Sequence, residues 1–211
     1  SGSGGGGGAY SLQGSNYGYN AGGGNGTTVI EKFSFASDAN ATSIGDLTIR
    51  LDQGSGNSSS THGYDSGSPP GPASPTGTDE IQKFTFASDG DASNVGSLTV
   101  KRYGISSNGQ NSSSHGYLTG GVPVPTTGNI IEKFTFSSDN DATDVGDLTV
   151  TRDSAAGQNS SESGYTSGGS APALVDTIDK FPFSSDSNAT DVGDLTGVRQ
   201  QFTGQSSLDN G

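Results

Sequence analysis

Residues 131–152, IEKFTFSSDNDATDVGDLTVTR, carry the pattern that decides the fold, because three further copies of it occur in the chain. The copies begin at Ile30 (IEKFSFASDANATSIGDLTIR), Ile81 (IQKFTFASDGDASNVGSLTVKR) and Ile178 (IDKFPFSSDSNATDVGDLTGVR), so the starts are 51, 50 and 47 residues apart. A repeat unit of this size usually cannot bury its apolar face alone and packs against its neighbours. The sequence therefore predicts one body of four similar units, anchored at 30–52, 81–103, 131–153 and 178–200.

A second module, a Gly-Tyr pair within Ser-rich and Gly-rich sequence, recurs at the same period. It reads GSNYGYNAGGGNG at 14–26, SSSTHGYDSGS at 58–68, SSSHGYLTGG at 112–121 and SSESGYTSGG at 160–169. The first copy precedes the first unit, and the chain ends just before a fifth copy would follow. The two ends together make one period, so we predict that residues 17–22 pair with the segment around 202–206 and remove two exposed sheet edges.

The alternation of side chains predicts strands and no helices. Phe134 and Phe136 fall on one face of a short strand, and Leu148-Thr149-Val150 predicts a second strand with β-branched residues. Turn-forming residues separate these strands, and the connectors at 67–79 and 120–129 are rich in Pro and Gly, which is typical of loops. Four strands in a unit of this length favour propeller blades over the shorter coils of a solenoid. The predicted fold class is all-β: a four-bladed β-propeller, or an arc of a larger propeller or repeat fibre.

The order of the motifs resembles a Kelch repeat. Gly120-Gly121 is followed by the Phe134/Phe136 strand and then by the segment from Leu148 to Arg152. The last unit repeats this order, whereas no Trp follows the aromatic strand and the second copy has Gly67-Ser68 in place of Gly-Gly. The resemblance implies a propeller of Kelch-like blades.

The tandem units also look like predicted structural proteins of tailed marine bacteriophages, including cyanophages. The pattern I-x-K-F-x-F-x-S-D, then A-T-D-V-G-D-L-T, G-Q-S-S and G-Y-x-S-G-G, covers nearly the whole chain after residue 15. The resemblance implies a virion component, located in the virion or outside the cell, that contacts other virion or fibre subunits.

Composition limits the partners. The formal net charge is −13, spread along the chain, and such a surface repels nucleic acid and anionic lipid. There is no Cys, which excludes disulfides and thiol catalysis. The Gly-rich residues 1–14 are predicted to form a flexible tether, and residues 15–211 a single repeat domain. A chain that starts at Ser1 and contains no Met is expected to be a piece of a longer protein.

The Asp-rich loop is the candidate metal site. Calcium takes six to eight oxygen ligands from acidic, Gly-containing loops, although the spacing is not that of an EF-hand. The alternative is a solvated turn whose Asp and Asn side chains bond to their own backbone. No other cofactor is predicted. The candidate calcium ligands are Asp139, Asp141, Asp144, Asp147, Asp186, Asn188, Asp191 and Asp194.

Other residues that recur once per unit have two interpretations. The Tyr of each Gly-Tyr pair could stack on sugars, as in a multivalent glycan reader, or could pack between blades; these residues are Tyr19, Tyr64, Tyr117 and Tyr165. The recurring Arg is expected to bond to acidic or carbonyl oxygens of the neighbouring blade. His62 and His115 are expected to be strand residues without a catalytic role, because the other two units lack His there.

The sequence therefore favours a non-enzymatic structural or attachment module of a phage virion, in the tail, a fibre or a capsid decoration. A host-surface glycan and a second copy of the chain are additional candidate partners. The alternative is a secreted or surface carbohydrate-binding propeller, and a less favoured one is a polysaccharide-degrading enzyme with paired carboxylates.

Overall fold

The computed structural model describes residues 16–24, 27–68, 77–105, 109–123, 128–171 and 173–207. These residues form an all-β structure built from four main antiparallel sheets, one per sequence unit, and two short two-stranded sheets. The predicted tether at residues 1–14 lies outside the described residues.

Sheet I contains β1 (Tyr17–Ala21), β2 (Val29–Ser34) and β3 (Thr42–Asp46). Sheet II contains β4 (Ser55–Ser58), β5 (His62–Ser68), β6 (Thr78–Thr85) and β7 (Ser93–Ser97). Two further strands, β8 (Arg102–Tyr103) and β11 (Val122–Pro123), pair with each other. Sheet III contains β9 (Gln110–Asn111), β10 (His115–Thr119), β12 (Ile130–Thr135) and β13 (Thr143–Asp147). Sheet IV contains β14 (Ala156–Asn159), β15 (Ser163–Ser167), β18 (Thr177–Pro182) and β19 (Thr190–Asp194), and the short β16 (Ser170–Ala171) and β17 (Ala173–Leu174) pair beside it.

The strands within each sheet follow one another along the chain as an antiparallel meander. The Gly-Tyr module forms the strand that pairs with the Phe-x-Phe strand, with Tyr117 opposite Lys133 and Gly116 opposite Phe134. Gly is required opposite Phe, because a Cβ at position 116 would lie 2.5 Å from the Phe134 ring. The same close approach occurs at Gly63, so two motifs of the repeat explain each other.

The prediction that Leu148-Thr149-Val150 forms a strand is wrong. The strand ends at Asp147 and begins at Thr143, inside the stretch that the sequence indicated as a turn. Leu148 is buried in the contact with sheet IV, and the Thr149 N–H donates to the Asp179 carboxylate of that sheet. These residues therefore serve the contact between sheets, and Leu47 and Leu98 lie in the same position.

The hydrophobic core consists of three clusters, each between two consecutive sheets. The first joins sheets I and II around Ile30 and Phe84, and the second joins sheets II and III around Ile81 and Phe134. The third joins sheets III and IV around Ile131 and Phe181. Each unit thus contacts its neighbours in sequence, as repeat architectures do.

The predicted pairing of residues 17–22 with the segment around 202–206 is not among the strand pairs of the described residues. β1 pairs with β2 alone, and sheet I has three strands, with β1 at its edge. The C-terminal segment lies instead against sheet IV, where the Asn159 N–H donates to the Ser206 hydroxyl at 3.0 Å. The same bond occurs between sheets II and III, where the Ser58 N–H of β4 donates to the Asn111 side chain of β9 at 3.2 Å. The C-terminal segment thus lies beside β14 as β9 lies beside β4. Among the described residues, no hydrophobic cluster joins sheet I to sheet IV.

Candidate functional site

The three junctions between consecutive sheets contain most of the residues that recur in the sequence. At each one, the Asp-rich loop of the following sheet lies on the end of the last strand of the preceding sheet. The Lys that precedes Phe-x-Phe forms an ion pair with the first Asp of that loop; the pairs are Lys32–Asp89, Lys83–Asp139 and Lys133–Asp186. The acidic loop is therefore a connection between sheets.

Backbone hydrogen bonds extend this connection. The Ala189 N–H donates to the Asp147 carbonyl at 2.8 Å, and the Asp147 N–H donates to the Asn188 side chain at 3.1 Å. The junction between sheets II and III repeats both bonds: Ala142 N–H to the Ser97 carbonyl at 2.8 Å and Ser97 N–H to Asp141 at 2.9 Å. A carboxylate or an amide oxygen can accept this bond, which explains why the sequence tolerates Asp or Asn at this position.

The loop glycine allows the two backbones to approach. A Cβ on Gly146 would lie 2.4 Å from the Ser187 carbonyl oxygen, and one on Gly96 would lie 2.3 Å from the Asn140 carbonyl oxygen. Real Cβ atoms do not come this close to backbone, so only Gly fits at these junctions. In sheet IV, by contrast, a Cβ on Gly193 would meet nothing within 4 Å among the described residues.

The eight candidate calcium ligands do not converge. Asp139, Asp141, Asp186 and Asn188 bind Lys or backbone groups of the preceding sheet, while Asp147 and Asp194 end β13 and β19. Asp144 and Asp191 accept hydrogen bonds from the N–H groups of Gly146 and Gly193. Across the described residues, no group of three or more His, Cys, Asp or Glu side chains could hold a metal ion. The geometry favours the turn interpretation and adds a role in joining sheets.

Chelator should therefore leave the stability unchanged. We expect EGTA to alter the melting temperature by less than about 1 °C, because Lys side chains and backbone N–H groups hold the loop. Removal of Ca²⁺ lowers the stability of a protein only if its folded state binds the ion. Differential scanning calorimetry with EGTA and with added CaCl₂ measures this. A rise of several degrees with CaCl₂ that EGTA reverses would instead establish the calcium site.

The recurring Tyr residues pack between sheets. Tyr64 stacks on Phe136 with ring centroids 5.1 Å apart, and Tyr117 stacks on Phe183 at 4.8 Å. Tyr64 and Tyr117 are only 4% and 3% exposed, which leaves little ring surface for a sugar and favours the interpretation that they pack between sheets. Tyr19 is half-buried and stacks on Phe86 at 4.6 Å.

Tyr165 differs from the other three. It belongs to sheet IV, and its half-buried ring lies under the Lys180 ammonium, 5.8 Å from the ring centroid. Phe35, at the other end of the array, is 54% exposed, whereas its counterparts Phe86, Phe136 and Phe183 pack against the clusters between sheets.

The expectation for the recurring Arg is confirmed at two positions. Arg152 forms an ion pair with Asp179 and donates to the carbonyl oxygens of Gly168 and Thr177 at 3.1 and 2.9 Å. Arg102 lies 3.3 Å from Glu132, and all four of these charged side chains are fully buried. Burial lowers the pKa of both Arg residues, and the partner carboxylates oppose this shift.

The other two Arg residues lie outside this pattern. Arg50 bonds to Asp52 of its own unit at 3.1 Å, because the following sheet presents the neutral Gln82 in place of an acid. The Gln82 side-chain oxygen accepts the Thr48 N–H at 2.5 Å. Arg199 is exposed and donates to the Gly197 carbonyl of its own loop.

The two His residues occupy the first position of β5 and β10. The Nδ1 atom of His62 lies 2.8 Å from the Thr61 hydroxyl, and that of His115 lies 2.8 Å from the Ser114 hydroxyl. Burial, reinforced by Lys83 or Lys133, lowers the pKa of each imidazole. Both side chains are therefore neutral near pH 7, as expected for strand residues beside a cationic side chain.

Asp65 is a residue that the sequence reasoning missed. It follows Tyr64 on β5, where the other units have Asn20, Leu118 and Thr166. Burial raises the pKa of Asp65 from 3.8 to about 7. A single acid at a position that is neutral in the other units was the only signal in the sequence.

Substitution of Asp65 by Asn should stabilise the protein at alkaline pH. The folded state binds the carboxyl proton more tightly than the unfolded state, so stability is lost as the pH rises from about 4 to about 7. We expect Asp65→Asn to raise the free energy of unfolding by about 1–2 kcal/mol at pH 8, because Asp65 keeps part of its surface exposed. Urea unfolding at pH 8 and pH 5 checks this, and an equal effect at both values would contradict the assigned pKa.

Comparison with known proteins gives the fold. No family model matches the chain, and no curated protein matches it. Within the part of the chain that the structure describes, no helix is long and apolar enough to cross a membrane.

A solved structure, that of YjhT, matches with a TM-score of 0.67 at 12% identity, over 82% of this chain and 61% of that one. The chain thus spans about three fifths of the length of YjhT, and its all-β architecture is β-propeller-like.

Proposed function

We propose that the chain is a non-enzymatic structural or attachment module of a phage virion, displayed on a tail, a fibre or the capsid surface. The observation that supports the proposal is that most of the recurring residues make contacts between sheets. At three successive junctions the recurring Lys, Asp, Gly, Tyr and Phe residues contact the neighbouring sheet, and at two of these junctions the recurring Arg does so as well. A repeat whose polar groups bond to neighbouring sheets in this way builds a rigid scaffold.

The resemblance of the tandem units to structural proteins of tailed marine phages supports the proposal that the scaffold belongs to a phage particle. The net charge of −13 disfavours nucleic acid as a partner, which leaves protein subunits of the particle and surface groups of the host. Attachment to a host glycan would use side chains outside the junctions, because Tyr64 and Tyr117 are buried within them.

Mass spectrometry of virions purified by density gradient tests the proposal. We expect peptides of this chain in the particle fraction, at a constant ratio to the major capsid protein across the gradient peak. The matched control is the particle-free supernatant of the same lysate. Recovery of the chain in that supernatant alone would remove the virion assignment.

A further inference from the structure

We propose that a second copy of this chain docks head to tail, so that the free surface of sheet IV in one copy receives the free surface of sheet I in the next. The inference rests on the geometry of the junctions and is independent of the virion assignment. The trailing surface of sheet IV consists of Tyr165, Lys180, Gly193, Asp194 and Arg199. The leading surface of sheet I consists of Glu31, Phe35, Asp38, Asn40 and Ala41.

These two surfaces are the two halves of the junction that already occurs three times in the chain. Lys180 is the counterpart of Lys133, and Asp38 is the counterpart of Asp186. Lys133 and Asp186 form an ion pair between sheets III and IV, whereas neither Lys180 nor Asp38 forms an ion pair within the described residues. Arg199 corresponds in the same way to Arg152, and Glu31 to Asp179.

The backbone groups match as well. Ala142 and Ala189 are buried, and their N–H groups bond to the preceding sheet, while their counterpart Ala41 is exposed. The open space around Gly193 corresponds to the place where the Ser187 carbonyl packs on Gly146. Docking therefore places the backbone that precedes Ala41 against Gly193. The Asp194 carbonyl then accepts the Ala41 N–H, and the Asp194 N–H donates to the Asn40 side chain.

Apolar surface at both ends favours the same contact. Within the described ranges no Phe ring stacks on Tyr165, whereas each of the other three recurring Tyr residues stacks on one. Phe35 is 54% exposed. Val192, next to Gly193, is 51% exposed, whereas its counterpart Val145 packs against the third cluster. Docking buries these side chains, and burial of apolar surface is the main favourable term in association.

The strand edges are complementary too. Sheet I has three strands, with β1 at its edge, and residues 204–206 lie beside β14 in the position of the first strand of a following sheet. A Cβ on Gly204 would lie 2.3 Å from the Gly157 carbonyl oxygen, so this segment is closely held. In the docked pair it lies next to β1 of the second copy and can add a fourth strand to sheet I.

A second copy fits better than closure of the chain on itself. Within the described residues, β1 pairs with β2 alone and the groups around Gly193 and Ala41 are apart. A contact between two different surfaces of identical subunits is heterologous and continues until a ring closes or a filament forms.

Sedimentation velocity of the whole chain, from about 1 µM to about 500 µM, tests the proposal. We expect species of at least twice the monomer mass to appear as the concentration rises. Gly193→Ala should weaken association by more than about tenfold at a temperature where circular dichroism shows the dilute variant to be fully folded. A wild-type chain that stays monomeric over the whole range, including one that closes on itself, would overturn the proposal, as would undiminished association of Gly193→Ala.

A charge exchange identifies the surfaces. Lys180→Glu alone places a carboxylate against Asp38, and Asp38→Lys alone places an ammonium group against Lys180, so each variant should associate more weakly than the wild type by about tenfold. In an equimolar mixture, both contacts between unlike copies are attractive, because the Lys180→Glu surface faces the Asp38→Lys surface and the unchanged Lys180 faces the unchanged Asp38. The mixture should therefore associate about as strongly as the wild type, with the two variants alternating. Failure of the mixture to exceed the separate variants would show that the copies meet at other surfaces.

Discussion

The Asp179→Ala variant is expected to lose about 3–5 kcal/mol of stability, because it leaves the buried Arg152 guanidinium without its carboxylate. Both side chains are fully buried between sheets III and IV. Arg152 keeps the carbonyl oxygens of Gly168 and Thr177 as acceptors, but these do not neutralise its charge. Urea unfolding at pH 7 measures the loss as a lower midpoint at constant m-value.

Two further variants separate charge from packing. Asp186→Ala removes the exposed partner of Lys133 at the same junction and should cost no more than about 1 kcal/mol. The double variant Arg152→Met/Asp179→Leu replaces the ion pair with apolar side chains and should recover most of the loss. If Asp179→Ala were no more harmful than Asp186→Ala, the assignment of a buried pair at this junction would be wrong.

Gly146→Ala should destabilise the protein by about 3 kcal/mol or more. The new methyl group would lie 2.4 Å from the Ser187 carbonyl oxygen and 2.6 Å from its carbon. Both are backbone atoms, so relief requires sheets III and IV to move apart, which breaks the hydrogen bonds of Ala189 and Asn188.

Gly193→Ala is the matched control, because the two glycines have nearly the same backbone conformation, with φ of +155° and +149°. The conformational cost of adding a Cβ is therefore similar, and the difference between the variants isolates the close approach of the sheets. We expect the dilute Gly193→Ala protein to lose only this conformational cost, about 1–2 kcal/mol, which is less than the loss expected for Gly146→Ala. Equal destabilisation by both substitutions would show that backbone strain, and not the junction, explains the glycine.

The sequence predicted the all-β architecture and the four units because the period and the Phe-x-Phe alternation are local features. It placed one strand wrongly at Leu148-Thr149-Val150, because a buried Leu followed by β-branched residues has the same local pattern in a strand and in a segment packed between sheets. The Thr149 N–H bonds to Asp179 of the next sheet, and a single unit contains no sign of that partner.

The candidate site shows the same limit. Asp139 and Asp141 are close in sequence and suggest a shared ligand, yet one binds Lys83 and the other binds the Ser97 N–H. Both partners are more than 40 residues away. The role of the Asp-rich loop depends on which sheet lies beside it, and the spacing within the loop does not contain that information. The recurrence of one Tyr per unit was enough to suggest packing between blades. Stacking on a Phe ring of the next sheet confirms this interpretation for Tyr19, Tyr64 and Tyr117.

Amide hydrogen exchange shows directly whether the Asp-rich loops join consecutive sheets. In dilute protein, the Ala92, Ala142 and Ala189 amides donate to carbonyl groups of the preceding sheet, whereas Ala41 is exposed in the leading surface of sheet I. We predict that the first three amides are strongly protected in NMR exchange spectra and that the Ala41 amide exchanges rapidly. Exchange of Ala92, Ala142 and Ala189 as fast as that of Ala41 would show that the Asp-rich loops are not bonded to the preceding sheets.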